Sequence, residues 1–133
     1  MIEINNLTSN KIDYSFLKNT AGKVLKAERI KKSEFSIAVV DRKTMKGINK
    51  KYRRKNKETD VLSFDYGIDL AEIIICPTVI KKNAKKLNLG YNKEITRALI
   101  HGVLHVAGYD HEKSVSEEKI MEEKTEKYLK LFK

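Results

Sequence analysis

Leu99-Ile100-His101-Gly102-Val103-Leu104-His105-Val106-Ala107-Gly108-Tyr109-Asp110-His111-Glu112 contains every histidine of this 133-residue chain, three in eleven consecutive positions. On a helix, His101 and His105 are an i, i+4 pair with Cβ atoms about 5–6 Å apart, close enough for both rings to reach one metal ion. Gly108 predicts the helix end. Glycine enters the left-handed conformation without steric penalty, so the chain can reverse and bring His111 back as a third ligand. Upstream, Ile95, Leu99, Val103 and Val106 recur at i, i+4, i+8 and i+11, with Asn92 as the expected cap. The apolar stripe lies largely apart from the histidine edge. The spacing therefore predicts a central helix, packed on a sheet by its stripe, with the His101/His105 side opening into a cleft.

Three neutral imidazoles leave the fourth tetrahedral position of a Zn2+ ion open to water, which is the form of a catalytic rather than a structural site. An H-x3-H pair alone would fit a surface pair or a satisfied core pair; the third histidine beyond a helix-ending glycine favours the metal. The spacing also coincides with the frame of the metzincin peptidases, which carry a glutamate after the first histidine as general base. Here that position is Gly102. The metal frame is kept and the peptidase's proton acceptor is missing.

Working outward, Ile2-Glu3-Ile4 alternates like a short strand, and Asp13 caps a helix running to about Lys26. Phe35–Val40 reads as a central strand. Asp41 caps a second helix, whose Met45, Ile48 and Tyr52 follow i, i+3, i+7. Val61–Phe64 and Glu72–Cys76 are strands close enough in sequence to pair. Pro77 opens a third helix that ends near Asn88 to Gly90, with Val79, Ile80, Ala84 and Leu87 as its buried stripe. After His111, Ser114-x-x-Glu117 has the form of a capping box before a last amphipathic helix marked by Met121, Tyr128, Leu129 and Phe132. The order β-α-β-α-β-β-α-α-α has too few β-α-β alternations for a doubly wound fold. It predicts one α+β domain spanning residues 1–133: a small mixed sheet of about four strands packed by about five helices.

A hydrophobic content of 41% suits a globular core, and a single cysteine excludes an internal disulfide framework and a cysteine-based zinc finger. Cys76, after Ile73-Ile74-Ile75, reads as a buried small hydrophobe. No stretch is long and apolar enough to span a bilayer, and the N-terminus lacks a signal-peptide pattern, so a cytoplasmic protein without membrane or nucleotide cofactor is expected. The formal charge of +10 implies an anionic partner, most simply nucleic acid. Nine cations and no acid lie between Arg42 and Lys57. Such uncompensated charges repel one another, which a polyphosphate partner relieves; Lys50, Lys51, Arg54, Lys55 and Lys57 are the expected nucleic-acid contacts.

His101-Gly102-Val103-Leu104-His105-Val106-Ala107-Gly108-Tyr109-Asp110-His111 resembles the signature H-G-x-L-H-L-x-G-Y-D-H of the YbeY family of bacterial endoribonucleases. Asn49-x-x-Tyr52-Arg53 with Thr59-Asp60-Val61-Leu62-Ser63-Phe64 resembles the family's second block, and Ile73-Ile74-Ile75-Cys76-Pro77 its third. The similarity runs from about Phe35 to the end. It implies an α+β fold, one zinc held by His101, His105 and His111, a functionally important arginine at Arg53, and action on a ribosomal RNA precursor with the ribosome or ribosomal proteins as partners. The family's proline before Thr-Asp is Glu58 here, an acidic residue of the basic block is Asn56, and its Gly-Asp pair is Ala71-Glu72. Two rivals share these ligands: a zinc metallopeptidase-like hydrolase, and a non-catalytic ribosome-binding assembly factor stabilised by zinc.

Overall fold

In the computed structural model, which describes residues 2–109 and 114–132, the predicted order of elements is observed. The chain runs β1 (Ile2–Asn6), α1 (Tyr14–Ala27), β2 (Glu34–Val39), α2 (Arg42–Arg53), β3 (Val61–Asp65), β4 (Leu70–Ile75), α3 (Pro77–Lys86), α4 (Tyr91–Val106) and α5 (Val115–Leu131). Three of the predicted caps form. The side chains of Asp13, Asp41 and Ser114 accept from the backbone N–H of Phe16, Thr44 and Glu117, each satisfying a donor that the first helical turn leaves without a partner. Asn92 does not cap α4. Gly90 holds that position without a side-chain bond, and Asn92 lies inside the helix, where its carbonyl accepts from the Thr96 hydroxyl at 2.7 Å.

The sheet has the order β1-β2-β4-β3, so β2 is internal as predicted. β1, β2 and β4 are parallel, and β3 closes one side antiparallel to β4, with Val61 opposite Ile75 and Ser63 opposite Ile73. The α+β fold is thus a mixed four-stranded sheet with five helices.

The period-2 alternation of the strands sorts two cores onto the two faces. Phe35, Ile37 and Val39 of β2 join Ala71, Ile73 and Ile75 of β4 in the larger core, against Leu17, Ala21 and Val24 of α1 and the apolar residues of α4 and α5. Ala38, Leu62 and Ile74 face the other way and pack on Met45 of α2, with Cys76 and Val79. Tyr52 departs from the buried stripe predicted for α2: it stands 60% exposed at the last turn. The apolar cover of α2 ends at Ile48, and Tyr52, one turn further on, stands at the edge of the sheet, where it meets Phe64 of the edge strand β3.

α4 is the central helix. Ile95, Leu99, Val103 and Val106 are buried, as are Ala98, Ile100, Leu104 and also Glu94 and Thr96. Gly102 lets the helix come this close: a Cβ there would sit 3.0 Å from Ile73 Cδ1, 3.1 Å from Ile73 Cγ2 and 3.2 Å from Ser63 Oγ. Those two residues are register partners across β3 and β4, so the glycine is seated on one rung of the sheet. No helix among the described residues is long and apolar enough to cross a membrane.

A candidate metal and RNA cleft at the edge of the sheet

α4 carries His101 and His105 because neither Gly102 nor the apolar residues around them interrupts the helical period. Their Nε2 atoms converge to 3.1 Å, the rings lying edge to face with centroids 4.7 Å apart, and both residues are half-buried. Two neutral imidazoles are good zinc ligands, and Zn–N bonds of about 2.0–2.1 Å in a tetrahedron put such nitrogens about 3.4 Å apart. The pair therefore fits one ion after a shift of a few tenths of an ångström. Among the described residues no group of three or more histidine, cysteine or acidic side chains is placed around one metal position. His111, the third expected ligand, lies outside the described residues.

The turn that follows α4 is fixed by hydrogen bonds. The N–H of Gly108 donates to the His105 carbonyl at 3.0 Å and that of Tyr109 to the Leu104 carbonyl at 3.1 Å. This pair of bonds, with Gly108 at φ 105°, is the glycine-terminated reversal predicted from the sequence. Tyr109 is held in turn. The ammonium of Lys124 lies 5.1 Å from its ring centre and also binds Glu28, which accepts from the Tyr128 hydroxyl as well. Although burial pushes the Glu28 carboxyl up, the bonds from Tyr128 and Lys124 and the charge of Lys124 hold it below its ordinary value. Burial, and then its bond to Glu28, push Tyr128 up to about 12.

The histidines open into a cleft of about 500 Å³. α4 lines one side with His101 and His105, α2 lines the other with Asn49, Tyr52 and Arg53, and residues 59–64, most of them in β3, form the floor. The cleft thus lies at the outer edge of the sheet, between helices packed on opposite faces. Arg53, Lys55 and Lys57 line it, about fifty residues from the histidines in sequence. Lys50, Lys51 and Arg54 are exposed at the end of α2 and do not line it.

The loop that carries Lys55 and Lys57 is shaped locally. Arg54 takes the left-handed conformation at φ 58° and turns the chain back at the end of α2. Buried Asn49 then donates from Nδ2 to the Lys57 carbonyl at 2.9 Å. Arg42 is not an uncompensated cation as the charge run suggested. Its Nη2 donates to Glu58 Oε1 at 3.0 Å, and Glu58 follows directly on the basic stretch.

Sequence reasoning about single residues missed three groups here. Asp60 is the carboxylate that lines the cleft among the described residues, and burial raises its pKa despite the backbone and Thr59 bonds it accepts, so it is a stronger base than an exposed aspartate. Ser63 donates to the Gly102 carbonyl at 2.9 Å and ties β3 to the turn of α4 between the histidines. Asn49 is the clamp just described. All three stand in the segments whose resemblance is quoted above, which was their available signal; Cys76, by contrast, is buried away from the cleft with its thiol pushed up by burial.

A model of the protein family described as endoribonuclease YbeY matches residues 3–133. An endoribonuclease YbeY of Persephonella marina is 40% identical over 86% of this chain and 80% of its own. That of Thermosipho melanesiensis is 40% identical over 95% and 96%. A solution structure of TM1509 from Thermotoga maritima superposes with a TM-score of 0.68 at 33% identity, covering 97% of this chain and 87% of that one.

Proposed function

This chain belongs to the endoribonuclease YbeY family, and on that premise we propose that it is a zinc-dependent endoribonuclease acting on single-stranded RNA, with ribosomal RNA precursors as its substrate. The observation that carries the reading is one cleft in which two convergent imidazoles face Arg53, Lys55 and Lys57. His101, His105 and His111 would hold the ion. When bound, it supplies Lewis-acid stabilisation of the charge that develops on the phosphate oxygens. Arg53 offers a planar guanidinium fork to those oxygens, a better match than an ammonium. Lys55 and Lys57 hold the flanking phosphates, with Lys50, Lys51 and Arg54 adding longer-range attraction.

No protein nucleophile is required, because the ribose 2′-hydroxyl is carried by the substrate itself. Asp60 takes its proton as the 2′-oxygen bonds to phosphorus and the bond to the 5′-oxygen breaks, the leaving oxygen gaining a proton from solvent; the role suits a carboxyl whose burial raises its basicity. Gly102 argues against a peptidase: the position offers no carboxylate, and even a Cβ there would press on Ile73 and Ser63.

The test combines metal analysis of the purified protein with RNA cleavage by wild type, His105→Ala and Arg53→Ala. Wild type is expected to contain one zinc and to cut single-stranded RNA. His105→Ala loses both properties, whereas Arg53→Ala keeps its metal and cuts about 100-fold or more slowly. A zinc-free wild type, or two variants that cut as well as it does, would refute the mechanism. A wild type that holds zinc but cuts no RNA would instead favour the non-catalytic assembly factor.

A further inference from the structure

We propose that Tyr52, Phe64 and Tyr66 form a base-stacking ladder that receives unpaired RNA bases at the mouth of the His101/His105 cleft. The three rings lie in a row. Tyr52 meets Phe64 edge to face at 5.3 Å, and Phe64 meets Tyr66 nearly parallel, 14° apart in plane, at 6.1 Å. At these separations the rings touch one another and leave no slot between them. Half-buried Phe64 packs on the smaller core and anchors the row, while Tyr52 and Tyr66 at its ends are 60% and 57% exposed. The bases accordingly stack on the outer rings.

The ladder is continuous with the cleft. Tyr52 and Phe64 line it, and Arg53 follows Tyr52 in the chain, so one step of backbone separates a ring for a base from a guanidinium for its phosphate. Lys51 holds its ammonium over the Tyr52 ring, 5.3 Å from its centre, so a base that stacks on this ring displaces an exposed lysine, which is then free to meet the strand's phosphates. The far ring is equally well fixed. Tyr66 lies two residues beyond Phe64 and so points to the same side of the strand, and its N–H donates to the Leu70 carbonyl at 2.9 Å. Asp65 between them binds Lys32 at 2.8 Å and the Gly67 N–H at 3.1 Å.

Aromatic faces beside a cationic groove are how proteins hold single strands without reading sequence, since every base has a π-face. A duplex has no such face to offer, because its bases already stack on each other. The ladder thus makes unpaired bases next to the scissile phosphate a requirement of the site. The inference rests on the proposed RNA cleavage but is separable from it.

The test measures binding of a short, uncleavable 2′-O-methyl single strand by fluorescence anisotropy, alongside the same strand with abasic positions and a duplex of equal charge. Tyr66→Ala and Tyr52→Ala should each weaken binding of the intact strand roughly 5- to 100-fold. Tyr66→Phe should bind like wild type, and duplex binding should not change. On the abasic strand the difference between wild type and Tyr66→Ala should vanish. If both alanine variants bind the intact strand as wild type does while wild type still cuts RNA, the ladder is refuted and the proposed activity survives. A wild type that neither binds nor cuts single-stranded RNA overturns both.

Discussion

Replacing Gly102 with alanine adds one methyl group where α4 presses on the sheet. The new Cβ would lie 3.0–3.2 Å from Ile73 and Ser63, a few tenths of an ångström inside normal contact. Neither neighbour can yield easily. Ile73 is fully buried and β-branched on an internal strand, and Ser63 is held by its bond to the Gly102 carbonyl. Overpacking of this kind costs about 1–3 kcal/mol. Against it stands the gain of about 1 kcal/mol from replacing glycine by alanine inside a helix. Disturbing the Ser63 bond adds a loss of about 1 kcal/mol. The net expectation is a destabilisation of about 1–3 kcal/mol, seen as a melting temperature lower by roughly 4–11 °C in a chain of this size. Thermal and urea unfolding of the two proteins measure it directly. A variant that melts higher than wild type would show that helix propensity outweighs the contact, and would refute the account of why α4 sits so close.

Arg53→Lys preserves the charge but not the fork, so kcat is expected to fall by about tenfold or more with zinc content unchanged; turnover equal to wild type would remove Arg53 from the phosphate. Lys57→Gln should lower the slope of log affinity against log salt by about 0.7 for single-stranded RNA, whereas an unchanged slope would take Lys57 off the backbone path. Because the folded Glu28 carboxyl titrates below its ordinary value of 4.5, its contribution to stability is present above that pH and lost as pH falls through the folded value. Tyr128 works in the opposite direction, its contribution being intact below 10 and lost as pH rises toward about 12. The melting-temperature gap between wild type and Glu28→Gln should therefore be widest near neutrality and narrow at both extremes; a gap independent of pH would contradict the Glu28–Tyr128–Lys124 network. Asn49→Ala leaves the Lys57 carbonyl without its donor and should cost about 1–3 kcal/mol, read by urea unfolding.

What the sequence showed best was local. Asp13, Asp41 and Ser114 cap their helices through bonds within three residues, and Gly108 ends α4 through bonds within five, so neighbouring residue types suffice to predict them. Asn92 misled because Gly90 already has the extended backbone that a cap requires. Periodicity placed Ile95, Leu99, Val103 and Val106 inside, but it did not announce that Glu94 and Thr96 are buried too, which follows from α1, α3 and α5 closing around the same helix. Tyr52 kept its place in the period and still lies outside, because the edge of the sheet is set by strand order. The site divides similarly. The His101/His105 pair is readable from i, i+4 spacing, whereas Asp60 and Ser63 meet it only through the pairing of β3 with β4 and the seat of Gly102.

The open edge of β3 has a second meaning. An unpaired strand edge invites another copy of the same chain to add itself and continue the sheet. Here the approach to that edge is flanked by Arg53, Lys55 and Lys57, and a second molecule arriving strand first would bring the same cations with it. The charges proposed to draw in RNA would therefore also oppose growth into a fibre. Removing several of them together would be expected to trade RNA affinity for self-association, one set of side chains then serving both properties.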